Sequence, residues 1–316
     1  MTQPNAMDTA PSFVTDARLD GPLWRHPQGC GCALHARRRF TAGLAAGAAV
    51  SLAGPVQAQD GVQGDVGKTS RWTKLVPAEQ VEQAAAAQYL QMRREAARQK
   101  ALAPDSHPQL QRLRAIAERI VPHALPWNAR ARDWRWEVSL FGSNELNAFC
   151  MPGGKIAFYW GILHQLQLSD DEVAAIMGHE MAHALREHAR ERMGKTAATR
   201  IGAGLLSSLL GLGGAGDALL NMGGQLLTLR FSREDESEAD IVGLELSARA
   251  GYDPAAGVSL WRKMMSAAQG QPPEFISTHP SGPTRIRDIE GVLPKVAPLY
   301  ERAAKPPRRW GPPEKS

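Results

Sequence analysis

Cysteine is scarce in this chain of 316 residues: there are three, Cys30, Cys32 and Cys150. The first two form a Cys-Gly-Cys upstream of an expected cleavage site, which leaves Cys150 alone in the remainder. One cysteine cannot form an intramolecular disulfide, so the fold must rest on its core whatever its redox compartment. Charge of one sign is also weak. The net charge is +5, part of it in the first 58 residues, and no basic stripe is interleaved with aromatics. That excludes a nucleic-acid partner and leaves room for peripheral contact with an anionic membrane surface. No glycine-rich stretch has phosphate-loop spacing, which excludes that mode of nucleotide binding. Uninterrupted apolar runs are missing too. Residues 41–53 are too short and too rich in alanine and glycine to span a bilayer, and residues 201–229 are broken by Asp217, Asn221 and repeated glycines. The latter segment reads either as a helical hairpin acting as a lid or as a buried helix pair. What is present is enough apolar residue, 43%, for a sizeable core.

The first 58 residues have the make-up of an export signal. Arg37-Arg38-Arg39-Phe40 precedes a small apolar run that ends in Val56-Gln57-Ala58. The arginine pair with Phe40 resembles a twin-arginine signal, a route that carries proteins already folded around a cofactor. Cleavage near Ala58 and a periplasmic location are expected. Residues 59–77 read as a linker, 78–295 as one domain, and 296–316 as a tail that is disordered at its end. Within the domain, helices are expected over residues 78–102, 109–121, 161–168, 169–193, 234–250, 254–267 and 285–292. The helix from residue 169 has a sharp start signal at Ser169, where Glu172 three residues on completes a capping box. Alternation at Trp134, Trp136, Val138 and Leu140, short apolar runs at 147–151 and 155–159, and a Pro152-Gly153-Gly154 turn predict a small antiparallel sheet. The class is α+β, mainly helical.

His179-Glu180-Met181-Ala182-His183 carries the chemistry. On a helix, positions i and i+4 share a face, so two imidazoles can converge on one Zn2+ at about 2.0–2.1 Å each. Glu180, beside the first ligand, can take a proton from an attacking water without ligating the metal. This is the zinc-peptidase pattern. A third ligand is required. The acidic segment 234–240 offers two i, i+4 pairs, Glu234 with Glu238 and Glu236 with Asp240, and spacing does not choose between them. His188, five residues past His183, falls off the metal face of a continuous helix and reads as a surface residue. His107, His123 and His164 read as structural, and Cys150 as a small core residue.

Together these motifs resemble the minigluzincin-type zinc metallopeptidase family, over about residues 78–295 and nearest its soluble periplasmic branch. The family's glutamate three residues before an Ala-Asp pair matches Glu236 with Ala239-Asp240. The resemblance therefore implies Glu236 as third zinc ligand and Asp240 as the partner of a ligand histidine. Asn147-Ala148-Phe149 before the Pro-Gly-Gly turn resembles the family's strand above the active-site helix, which binds protein or peptide substrates by strand addition. His279 and Arg285 match a pair near the substrate carbonyl. His279 would either stabilise the tetrahedral oxyanion or fill the open zinc position. Arg285 would stabilise the same charge or cap a helix. The implied sheet packs on the His179–His183 helix. The implied activity is a zinc metalloendopeptidase acting on misfolded or envelope proteins, with a metal-occluded chaperone or assembly factor as the rival. The membrane helices of some family branches have no counterpart here, so a prenylated substrate is not implied, and the sequence is silent on oligomeric state.

Overall fold

The computed structural model describes residues 61–199, 215–268, 274–279 and 284–314. The expected export signal and its cysteines lie outside the described residues, as do residues 201–214 of the segment expected as a lid or a buried helix pair. Among the described residues, ten α-helices surround a three-stranded sheet: α1 (Ala78–Arg98), α2 (Pro108–Ile120), β1 (Glu137–Phe141), β2 (Ala148–Met151), β3 (Lys155–Tyr159), α3 (Trp160–Gln165), α4 (Asp170–Leu185), α5 (His188–Thr199), α6 (Ala215–Thr228), α7 (Arg233–Arg249), α8 (Ala256–Ala267), α9 (Glu274–Thr278) and α10 (Arg285–Arg302).

The sheet is mixed, not antiparallel as expected. Its order is β1-β3-β2, with β1 parallel and β2 antiparallel to β3. Alternation reports which face a side chain takes, not which strand lies beside it. Residues 142–147 carry the chain past one strand position, and the turn after Met151 returns β3 into the gap. That turn needs its glycines. Gly153 and Gly154 have φ of 83° and 77°, and a Cβ on Gly154 would lie 2.8 Å from the Trp136 ring. Both sheet faces are covered. Val138, Leu140, Ile156, Phe158, Ala148 and Cys150 join the main core with α2 and α4. Phe141, Ala157 and Met151 pack on Ala85 and Tyr89 of α1. The Tyr89 hydroxyl also lies 2.8 Å from both Ser139 Oγ and the Ile156 carbonyl. Trp134 and Trp136 are buried ahead of β1 rather than within it.

Helix α4 starts as the sequence predicts. Ser169 Oγ accepts from Glu172 N–H, and the Glu172 carboxylate accepts from Ser169 N–H. It stops eight residues short of the expected end, because Glu187 takes a φ of 60° and breaks the helix before α5. Its buried carboxylate Asp170 accepts from Arg112 Nε at 2.7 Å and from the Trp310 backbone at 2.7 Å. Residues 309–311 of the expected tail are thus laid on the start of α4. Helix α10 likewise continues ten residues beyond its expected end, through Pro294 and Pro298. The segment expected as a linker is packed as well: Val62 is fully buried, and its N–H donates to Glu245 Oε2 at 2.6 Å.

Helices α4 and α7 cross at two glycines. A Cβ on Gly178 would sit 2.5 Å from Gly243 O, and one on Gly243 would sit 2.6 Å from the His179 nitrogen. Backbone meets backbone there, which brings the residue after Gly178 within reach of α7. Gly178→Ala is expected to cost about 1–3 kcal/mol through overpacking. It should also lower bound zinc, measured by thermal unfolding and metal analysis of one sample.

Candidate metal centre

The crossing of α4 and α7 assembles the site. His179 and His183 lie one turn apart on α4, with Glu236 facing them from α7 and His279 following α9; all four are buried. His183 Nε2 is 3.1 Å from His179 Nε2 and 3.4 Å from Glu236 Oε1. His279 Nδ1 is 3.4 Å from His179 Nε2 and 3.0 Å from Glu236 Oε1. Four donors at about 2.0–2.1 Å from a tetrahedral zinc stand roughly 3.3 Å from one another. The imidazole and carboxylate donors and their spacing therefore fit zinc. His179 Nδ1 is engaged by Asp240 Oδ1 at 3.0 Å, which leaves Nε2 turned to the centre.

The choice between the two acidic pairs is made by the helix register. Glu236 and Asp240 face α4, whereas Glu238 lies to one side and Glu234 is exposed. Arg285 takes a different place from the one expected. Its Nε and one terminal nitrogen donate to Asp240 at 2.8 and 2.9 Å, the other terminal nitrogen donates to Glu236 at 2.7 Å, and its guanidinium lies 3.6 Å over Trp261. Its donors go to the carboxylates of Asp240 and Glu236. Asp240→Asn would halve this arrangement. The expected result is a 10- to 100-fold weaker zinc affinity, of the order seen for outer-shell partners, measured by chelator competition.

Electrostatics agree with a cation. Burial works against a charged imidazole at His179, yet the Asp240 and Glu236 carboxylates outweigh it and hold that group up at about 9. A divalent metal meets the same negative potential. Burial pushes His183 well below the ordinary imidazole range, as a neutral ligand requires. Burial opposes the charge on Glu236, but His279, His179 and His183 overcome it and hold the carboxyl low. Burial raises Glu180, the direction wanted in a general base. Its Oε1 is buried without a hydrogen-bond partner and lies 3.5 Å from His279 Nε2.

Glu180, His183 and His279 line a cavity of about 350 Å³ that is also walled by Asn147, Ala148 and Phe149. The proposed substrate strand is β2, an edge of the sheet, so the structure brings it to the proposed base. Leu226, Leu227 and Phe231 close another wall. Leu226 and Leu227 belong to α6, whose Met222 packs with Val81 and Ala84 of α1, and Phe231 follows that helix. The described part of the lid segment is therefore a docked helix. Cys150 lines the same cavity, buried and unbridged, with its thiol pushed up by burial.

One residue is corrected outright. His188 is not on the surface; it is 1% exposed, with Nδ1 2.9 Å from His183 Nδ1. The break at Glu187 swings the chain back toward the ligands. No glycine or proline marks that break, and a continuous helix would have sent His188 elsewhere. His107, by contrast, caps α2 by accepting from Gln109 N–H, a structural role as expected.

A buried histidine pair on one helix, a glutamate from a second helix and an adjacent buried carboxylate define a gluzincin-type metal centre. The chain belongs to peptidase family M48, whose model matches residues 109–293. It is 37% identical over 197 residues to the mitochondrial metalloendopeptidase OMA1 of Schizosaccharomyces pombe, covering 61% of this chain and 56% of that protein. The OMA1 of Arabidopsis thaliana is 37% identical over 152 residues, covering 48% of this chain and 30% of that protein. The β-barrel assembly-enhancing protease of Escherichia coli is 26% identical over 206 residues, covering 62% and 41%. The chain thus spans little more than half the length of these relatives, or less. No helix among the described residues is long and apolar enough to cross a membrane.

Proposed function

We propose that this protein is a zinc-dependent metalloendopeptidase that cleaves misfolded or envelope proteins. The observation that carries the reading is the buried Glu180 carboxylate, whose Oε1 makes no hydrogen bond and which shares one cavity with His183, His279 and edge strand β2. His179, His183 and Glu236 would hold zinc, and Asp240 would orient His179. Zinc, when bound, polarises a carbonyl and eases loss of a proton from water. The chain's own groups do the rest. An extended substrate pairs with the free edge of β2 at Asn147–Phe149, which lays its backbone across the cavity. Glu180 takes one proton from the attacking water and delivers it to the leaving amine nitrogen; the second water proton passes from the new carboxyl group to that amine, so hydrolysis yields one carboxylate and one ammonium.

A second reading is favoured by His279 Nδ1, which stands at the fourth corner of the donor set. In that position it would complete the coordination and hold activity low, as in a metal-occluded chaperone or assembly factor. Export to the periplasm, with cleavage near Ala58, is supported by the residues before it, and cell fractionation of tagged full-length protein tests it. For activity, the test is cleavage of an unfolded protein such as casein by the purified chain, with zinc assayed in the same sample. Bound zinc with cleavage supports the peptidase. Bound zinc without cleavage favours the occluded form. A chain that takes up no zinc overturns both.

A further inference from the structure

His179 and His183 both turn Nε2 to the centre, so as neutral ligands each must carry its single proton on Nδ1, where something must accept it. Asp240 does this for His179. At His183 no carboxylate takes that place; the atom facing Nδ1 is Nδ1 of His188, at 2.9 Å. On its other side, His188 Nε2 faces Glu238 Oε2 at 3.3 Å. We propose that His188, backed by Glu238, is a positioning residue that fixes the tautomer and ring orientation of His183 for metal binding. The inference rests on the zinc site described above.

With both rings neutral and His183 Nε2 turned to a metal, the proton count allows one consistent arrangement. Two Nδ1 atoms at hydrogen-bond distance must share one proton. If it sits on His183, then His183 Nε2 is free for the metal, His188 accepts at Nδ1, and the His188 proton on Nε2 points at the Glu238 carboxylate. If it sits on His188, a neutral His188 turns a bare Nε2 toward that carboxylate, lone pair against negative charge, and His183 carries its proton where the metal belongs. Glu238 thus biases His183 toward the ligating form through His188. Phe231 stacks on the His183 ring at 4.0 Å between centroids and limits its rotation. Arg186 donates to both Glu238 and the Gly67 carbonyl, so the segment ahead of α1 braces the relay from outside. The break at Glu187 has a function in this scheme: a helix continued through it would not return His188 to His183.

The test uses the full chain and zinc itself. In His188→Phe the ring volume stays and the acceptor is lost; zinc affinity by chelator competition is expected to fall 10- to 100-fold. His188→Asn, whose Oδ1 can take the place of Nδ1, should recover most of that loss, which a packing role would not predict. Nitrogen-15 spectra of the histidine rings in the zinc-loaded wild type should show His183 protonated on Nδ1 and His188 on Nε2. These spectra decide the matter even if the phenylalanine variant does not fold. Wild-type affinity in His188→Phe, or the opposite protonation pattern, overturns the proposal while leaving the zinc reading intact. A wild-type chain that binds no zinc overturns that reading, and this proposal with it.

Discussion

Replacing Glu180 by Gln is expected to lower kcat/KM for an unfolded protein substrate by about 10²- to 10⁴-fold, the usual worth of a positioned general base, with bound zinc unchanged. The amide has nearly the same shape as the carboxylate and cannot accept the proton. Glu180 is not one of the four clustered donors, so the metal site has no reason to empty. Nor is Glu180 a structural bond-maker, since its Oε1 has no hydrogen-bond partner to lose. Burial raises its proton affinity, which brings a carboxylate nearer the working pH of a base. Steady-state kinetics with metal analysis on the same preparation check the result. If the variant keeps wild-type activity, the base lies elsewhere and the assignment fails. If zinc is lost with activity, Glu180 supports the metal rather than the proton transfer.

His279→Ala should act in the opposite direction. His279 Nδ1 lies 3.0 Å from Glu236 Oε1 and 3.4 Å from His179 Nε2, which is a ligand's place and not a substrate's. Its ring is stacked on Phe275 at 4.6 Å between centroids, which favours that pose. A closed form of this kind leaves only a minor open population, and activity is reduced by that fraction. With the open form at about 1–10%, the alanine variant gains roughly ten- to a hundredfold in casein cleavage. The alternative role predicts the reverse. A residue that steadies the oxyanion costs about 10²- to 10³-fold when removed. The sign of the change therefore separates the two roles, and the zinc content of the variant shows whether the other three ligands hold the metal alone.

Much of the site is local in sequence. The His179–His183 spacing, the capping box at Ser169 and the acidic run on α7 depend on neighbours within a few residues, and all three appear where expected. The antiparallel pairing of β2 with β3 around the Pro152-Gly153-Gly154 turn was legible, but the parallel pairing of β1 with β3 was not, since it joins strands eighteen residues apart in register and nothing in either marks its partner. Arg285 was legible as a site residue but not in its orientation. Its target is set by α10 meeting α7 and by Trp261 beneath its guanidinium.

The sequence by itself determined the chemistry available: two imidazoles one helical turn apart, a glutamate beside the first, and a carboxylate pair on a later helix. These follow from helical period and side-chain type, which are properties of the chain alone. Spacing left the choice of carboxylate open and the resemblance pointed to Glu236 with Asp240; only the tertiary structure decided where His279 rests and that His188 faces His183. Those outcomes depend on the Gly178–Gly243 crossing and the left-handed turn at Glu187. Both are long-range or strained features that pay off only once helices have packed, and no local pattern of residues encodes them.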